Sequence, residues 1–422
     1  MNNNLYPKRH ILSIDLKSFF ASCECIARNL DPFKIPLVVA NKKQGNGAIT
    51  LAVTPYLKAQ GVPSRGRLYE IPKNIKYYIV PPRMSLYIKM SERVISIYLD
   101  YVSREDLHIY SIDECFLDIT NYLKLYKKTD YEIAESILKD ITTKTGLTAT
   151  CGIGPNILLA KVAMDTEAKK YKNGIAKWTY EDVKTKLWQI KPLSKMWGIG
   201  HRMEKRLNAL GITSIGTLAK FNKNILKEKF GIIGEELWYH ANGIDLSEIK
   251  KINTYHPKDK SYSNSQILFK DYNGNNIQII IREMVDITTK RLRANHKLTS
   301  NIGLAIGYSK SIGGGFYRIS KLDNPTDSSK IILDTCTLLF DKFYNGSPIR
   351  KIGISLGHLS NKNSLQLNLF DSLTSIEQEE KKNNVIDDIT SIFGKNSLLK
   401  ASSLLPDSTI KERNKKIGGH NA

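Results

Sequence analysis

Residues 110–120 read YSIDECFLDIT and set two acids side by side, Asp113 and Glu114, inside what otherwise looks like β-strand. Burying a bare carboxylate is costly unless it is paired, hydrogen-bonded or bound to a metal. Consecutive strand residues also point to opposite faces of a sheet. Either one acid is turned away from any shared site, or the pair sits at a bend where both converge. Short apolar runs at 107–112 and 115–120 flank the acids, so the stretch reads as a hairpin with Asp113 and Glu114 at its tip. A solvated hairpin tip is the plain alternative, because an Asp-Glu pair alone is a weak signal.

Working outward, RHILSIDL (9–16) reads as a strand ending in Asp15. A helix follows at 17–30, with Phe19, Phe20, Cys23, Ile26, Ala27 and Leu30 at helical spacing. A strand is expected at 35–41, a glycine turn at 44–48 and a short helix at 54–62 closed by Gly61. Residues 84–100 form an amphipathic helix, 131–145 another, 147–154 a strand and 156–170 a helix. Strand, helix, hairpin, helix, strand is the order of a split βαβ, ferredoxin-like sheet. In such a sheet the strand ending in Asp15 lies beside the hairpin, and three carboxylates meet. With no His or Cys nearby, that donor set suits a hard, oxygen-ligated cation, Mg2+ before Zn2+.

The 422 residues imply several domains. A hydrophobic share of 41% with 25% charged is globular composition. Lys and Arg number 63 against 41 Asp and Glu, a net charge of +22. Such an excess speaks of partners: nucleic acid first, an anionic membrane surface second, with a solvated lysine bias as the remaining possibility. No apolar run approaches the roughly 20 residues of a spanning helix, and MNNNLYPKRH lacks a signal-peptide core. No membrane association is expected. The five cysteines are scattered and odd in number, which argues against a disulfide framework and for a reducing, cytoplasmic setting. Cys23 and Cys25 read as packing residues.

Composition shifts near residue 176. Residues 192–221 are helical with two glycine turns, at Gly198-Ile199-Gly200 and at Gly211, the pattern of a helix–hairpin–helix. Backbone N–H groups at such turns hold phosphate without reading sequence. Residues 247–266 are polar and basic and read as a linker, and 261–358 alternate strands and helices again. Cations there, Arg291, Arg293 and Arg318 among them, could follow a phosphate backbone, or could simply be a solvated face. In the polar tail, Gln366, Leu367, Leu369 and Phe370 lie in QLNLF, whose large side chains look like anchors for a partner's pocket. Lys58 and Lys169 could neutralise a triphosphate, though surface solvation explains either equally well.

Together these motifs resemble a Y-family, translesion DNA polymerase of the UmuC-like bacterial branch, over most of the chain and in order. ILSIDLKSFFASCE resembles the family's first motif, which implies Asp15 as a metal ligand and Leu16 as a backbone-carbonyl ligand. The steric-gate position matches Phe20, and Phe19 beside it is implied in nucleotide binding; by spacing alone both read as core residues. YSIDECFLD resembles the motif that supplies the other metal ligands, Asp113 and Glu114. CGIGPNILLAKVAMDTEAKK resembles the palm segment ending in a triphosphate-binding lysine, Lys169 with Lys170 as the competing register. In the fingers, Lys58 falls where the family often has Arg, and Pro55 where it has Tyr, with Tyr56 one residue off.

The resemblance implies an α+β, right-hand architecture: palm 1–18 and 86–175, small fingers 19–85, helix–hairpin–helix thumb 176–243, linker 244–258, α/β little finger 259–358 and tail 359–422. It implies low-fidelity, template-directed dNTP transfer to a primer 3′-hydroxyl with two Mg2+ ions. The expected partners are primer–template DNA, dNTP, a sliding clamp bound by 366–370, and a recombinase filament or accessory subunits. The alternatives are a DinB-type role, a nucleotidyl cyclase on the same kind of palm, and a non-catalytic clamp-bound scaffold.

Overall fold

A computed structural model describes residues 6–257, 260–362 and 373–421. The chain divides into two compact units, Met1–Tyr255 with the last three residues, and His256–Gly419. The first unit runs β1 (Ile11–Leu16), α1 (Phe19–Ile26), β2 (Leu37–Ala40), β3 (Ile49–Val53), α2 (Pro55–Ala59), β4 (Gly66–Arg67), β5 (Tyr78–Val80), α3 (Met84–Leu99), β6 (Leu107–Ile109), β7 (Glu114–Asp118), α4 (Leu123–Tyr126), α5 (Asp130–Thr145), β8 (Ala149–Gly154), α6 (Ile157–Thr166) and β9 (Ile175–Lys177). Six helices follow: α7 (Asp182–Thr185), α8 (His201–Asn208), α9 (Ile215–Lys220), α10 (Lys223–Phe230), α11 (Ile232–Ala241) and α12 (Ile249–Thr254).

The main sheet has the order β6-β7-β1-β8-β9, with β1 antiparallel to both neighbours. Its first four strands are the split βαβ order read from the sequence. Strand alternation gives β1 two different faces. Leu12, Ile14 and Leu16 pack into a core with Tyr87, Val94 and Tyr98 of α3 and Ile133 and Ile137 of α5. Ile11, Ser13 and Asp15 take the other face, where Ile11 meets Ile157 and Ala160 of α6. That helix lies unusually close to the sheet. A Cβ on Gly152 would come 2.0 Å from the Ala160 carbonyl oxygen, and one on Gly154 2.4 Å from the Ala160 nitrogen. The two bare positions in CGIG let α6 press its side chains over the end of β1. Asn156 and Asp245 cap α6, accepting from the Leu159 and Leu158 N–H groups at 2.8 and 3.1 Å. A second, smaller sheet, β4-β3-β2-β5, has its own core around Val38, Val53 and Leu57.

The second unit comprises β10 (Tyr262–Tyr272), α13 (Ile277–Ala294), β11 (Lys297–Tyr308), β12 (Gly315–Thr326), α14 (Ser329–Phe343), β13 (Ile349–Asn361), α15 (Leu373–Ile392) and α16 (Ile410–Asn414). It repeats the βαββαβ chain order, but its sheet runs β10-β13-β11-β12 with every pair antiparallel. Ile302, Leu304, Ile306, Ile352 and Ile354 face the two helices α13 and α14. The intervening residues face away.

Two expected boundaries differ. The supposed linker contains α12, whose Asn253 amide donates to the Glu105 and Leu107 carbonyls at 3.2 and 2.9 Å and covers the β6 edge. Its polar sequence suited a linker equally well, because only Ile249 enters an apolar cluster, with Ile11, Phe116 and Ile157, and Asn253 meets backbone carbonyls. The supposed tail is largely folded. Asp387 of α15 pairs with Arg293, Lys400 with Asp286, and buried Glu283 accepts from Ser408 and from the Thr409 N–H. These are charge contacts, invisible to a reading of apolar periodicity.

Candidate active site

The two acids of the opening stretch converge as the hairpin reading requires. Glu114 is the first residue of β7 and stands directly opposite Asp15 in the antiparallel register, so both side chains share one face. Asp113 lies in the bend just before. Its carbonyl accepts the Leu16 N–H at 3.0 Å, joining the hairpin to the end of β1. Ser111 holds the bend: its hydroxyl donates to Asp113 Oδ1 at 2.7 Å and accepts the Glu114 N–H at 3.0 Å.

Three side chains at four-residue spacing, Lys161, Asp165 and Lys169, descend from the α6 side onto these acids. Lys161 Nζ, 5% exposed, lies 2.9 Å from Glu114 Oε1 and 3.1 Å from Asp165 Oδ2. Lys169 Nζ lies 2.6 Å from Asp15 Oδ2 and 2.8 Å from Asp165 Oδ1. Lys170, the competing register, lines a different cleft with Trp178 and Lys186. Lys161 and Asp165 are site residues beyond those expected from the sequence; their four-residue repeat on one helix face is the signal that could have found them.

Burial pushes the Asp15 carboxyl above its usual range, Lys169 pulls it back, and nearby Asp113 adds to the rise. Burial likewise raises Glu114, against the pull of Lys161. Burial opposes the charge on Lys169, but Asp15 and Asp165 outweigh it and hold its pKa above the ordinary lysine value. Lys58 on α2 feels Asp15 and Asp113; shielding from water lowers its pKa against their attraction.

Four carboxylates against two inserted lysines leave the pocket short of positive charge. The donors are all oxygens, which fits a hard divalent cation. Asp15, Asp113 and Glu114 share one sheet end, but among the described residues no three side chains stand close enough together to hold an ion, and Asp15 and Glu114 each pair with a lysine. A cation here would displace Lys169 from Asp15, while Lys161 occupies only one oxygen of Glu114.

Phe19 is 3% exposed and its side chain belongs to the core. Phe20 is only partly buried and stacks on Tyr87, ring centres 4.5 Å apart at 18°. Tyr56 packs against the small-sheet core. In the helical region Gly198 and Gly211 have φ of 88° and 76°, and both face open space, while Gly200 caps α8. Ile199, Leu207 and Ile212 anchor the hairpin from within.

In the second unit the assigned cations fall on the helix side of the sheet. Arg293 is 12% exposed and its guanidinium is taken by Asp387 and Ser329, so it is not free for a phosphate. Arg318 stands opposite buried Leu304 and lies 4.8 Å over the Phe343 ring of α14. Arg291 rests over Tyr262 and donates to the Ser263 carbonyl. The face without helices instead carries Gly303, Ala305, Gly353 and Ser355, with Lys321 and Lys351 at its flanks. Gln366, Leu367, Leu369 and Phe370 lie outside the described residues. The five cysteines are free and buried, and among the described residues no helix is long and apolar enough to cross a membrane.

The geometry has counterparts in known proteins. Residues 14–165 match the model of the impB/mucB/samB family, 259–369 that family's C-terminal domain, and 180–212 its HHH motif. A Bacillus subtilis protein named for UV-damage repair, UvrX, is 40% identical over 418 residues, 98% of each chain. The chain belongs to the impB/mucB/samB family. DNA polymerase IV 2 of Bacillus subtilis is 36% identical over 99% of this chain and all of the relative. A solved Y-family DNA polymerase chimera shares the fold, with a TM-score of 0.65 at 21% identity over 83% of this chain and 99% of its own. The Y-family resemblance read from the motifs is borne out.

Proposed function

We propose that this chain is a DNA-directed DNA polymerase of the translesion class, adding a dNTP to a primer 3′-hydroxyl under template direction. The observation that carries the reading is the meeting of Asp15, Asp113 and Glu114 at one sheet end, in a chain whose relatives over its whole length are named DNA polymerase IV. The primer oxygen attacks the α-phosphorus, the bond to the β-phosphate breaks, pyrophosphate leaves, and the hydroxyl proton passes to water. Asp15, Asp113, Glu114 and the Leu16 carbonyl would hold two Mg2+ ions, which would supply the charge neutralisation and hydroxyl acidification that this displacement needs. Lys169 and Lys58 hold the triphosphate by charge, Lys161 keeps Glu114 aimed into the site, and Phe20 meets the sugar edge where a 2′-hydroxyl would project.

In this reading residues 1–18 and 86–175 act as palm, 19–85 as fingers, 176–243 as thumb and 259–358 as little finger. The turns at Gly198, Gly200 and Gly211 hold DNA phosphates by backbone N–H groups. Lys321 and Lys351, on the sheet face without helices beside exposed Tyr317 and Ile319, hold DNA phosphates by charge. Residues 366–370 bind a sliding clamp. Primer extension on undamaged and abasic templates tests the proposal. Wild type should extend both with Mg2+, and Asp113→Ala/Glu114→Ala should extend neither. Extension by the double variant would move the active site elsewhere.

A further inference from the structure

Glu24 is a fully buried charge in the first unit that the mechanism above leaves unused. It lies on α1 four residues beyond Phe20. Its carboxylate is saturated with donors. Arg83 Nε reaches both oxygens, at 3.1 and 3.2 Å, and Arg83 Nη2 lies 2.7 Å from Oε2. Arg28 pairs with Oε2 as well. The Tyr87 hydroxyl donates to Oε1 at 2.7 Å. These hydrogen bonds overcome the effect of burial and hold the Glu24 carboxyl below its ordinary range. A buried ion cluster of this kind is a poor source of stability, since apolar residues of equal volume serve as well or better. What it supplies is a fixed geometry.

The geometry it fixes runs to the sugar-facing residue. Arg83 caps the start of α3, and Tyr87 lies one turn further on. The Tyr87 ring, its hydroxyl tied to Glu24, is fully buried and forms the surface on which Phe20 stacks at 4.5 Å and 18°. Phe19 closes the third side, 5.7 Å from Phe20 and 6.4 Å from Tyr87. Phe20 therefore cannot retreat from a bound sugar unless Tyr87 moves, and Tyr87 is anchored through its hydroxyl. We propose that Glu24, acting through the Tyr87 hydroxyl, is a positioning residue for sugar selection, making Phe20 rigid enough to reject ribonucleoside triphosphates. The inference rests on the reading of Phe20 as the residue that meets the sugar.

The test is single-nucleotide incorporation of dNTP and the matching rNTP by the full chain, comparing wild type, Phe20→Ala, Tyr87→Phe, Glu24→Gln and Phe20→Ala/Tyr87→Phe. Tyr87→Phe keeps the ring and removes only the hydroxyl, so it is the variant that keeps the fold. One charge-assisted hydrogen bond corresponds to roughly a tenfold change. Tyr87→Phe and Glu24→Gln should each lower the dNTP-over-rNTP preference in kcat/KM by about that factor, mainly through a lower KM for rNTP. Phe20→Ala should abolish most of the preference, and adding Tyr87→Phe to it should change nothing further. A fall in both rates with the preference intact would mean a merely structural role and overturn the inference. If Phe20→Ala itself leaves the preference intact, the sugar-facing reading of Phe20 fails, and the role of Glu24 fails with it.

Discussion

Lys161→Met is the substitution whose cost follows most directly from the site. Methionine fills nearly the same volume, so the loss is electrical rather than a cavity. Lys161 Nζ now lies 2.9 Å from Glu114 and 3.1 Å from Asp165, with its own side chain 5% exposed. Removing one partner of a fully buried pair costs about 3–5 kcal/mol, because the other charge is left without compensation. Glu114 and Asp165 retain 20% and 32% exposure and recover some hydration, which reduces the expected cost to about 2–3 kcal/mol. In a unit of this size that is a fall in Tm of roughly 4–12 °C, read by calorimetry or circular dichroism without divalent cation. Glu114, freed from its lysine and repelled by Asp15, should turn toward solvent, and incorporation should fall. Adding Glu114→Gln removes the uncompensated charge, so Lys161→Met/Glu114→Gln should regain most of the lost stability and none of the activity. A single variant as stable as wild type, or a double variant no more stable than the single, would refute the pairing as the source of order at this site.

Three further outcomes follow from other contacts. Asp130 is 4% exposed and held by Lys177 and His10 at 2.8 and 2.7 Å; burial works against its charge, but these partners depress its pKa. Its stabilisation is present above the ordinary Asp value near 4 and lost as pH falls through the depressed folded-state value. Urea midpoints should therefore differ between wild type and Asp130→Asn at pH 7 and converge in strong acid. Lys321→Ala/Lys351→Ala should reduce the slope of log affinity against log salt for primer–template DNA by about 2, whereas Arg293→Ala should leave the slope unchanged. Gly211→Ala forces a side chain into φ of 76° and should cost about 1–2 kcal/mol of stability, with weaker DNA binding measured by fluorescence anisotropy.

The palm was legible because its signals are local and repetitive. Apolar alternation in ILSIDL and the three- and four-residue spacing along α3 each state their element without reference to the rest. The three acids were legible because their order in the chain matches a strand end and a hairpin tip. Lys161 and Asp165 were harder. Their importance depends on how closely α6 approaches the sheet, and that is decided by Gly152 and Gly154, which read as ordinary strand residues. The surroundings of Arg318 and Arg293 were not legible: the face Arg318 takes follows from its register opposite Leu304, and Arg293, on α13, is held by Asp387, a partner 94 positions away. The folded tail escaped for a related reason, since Asp387 and Lys400 dock by ion pairs and Ser408 and Thr409 by hydrogen bonds to Glu283, with partners about a hundred positions away.

The central claim is that Asp15 and the hairpin acids make this fold catalytic. Single-turnover dNTP incorporation by Asp15→Asn, with primer–template affinity measured on the same preparation, tests it most directly. Incorporation should fall by about a thousandfold or more while DNA affinity stays within a few fold of wild type. Incorporation by Asp15→Asn within tenfold of wild type would contradict the account.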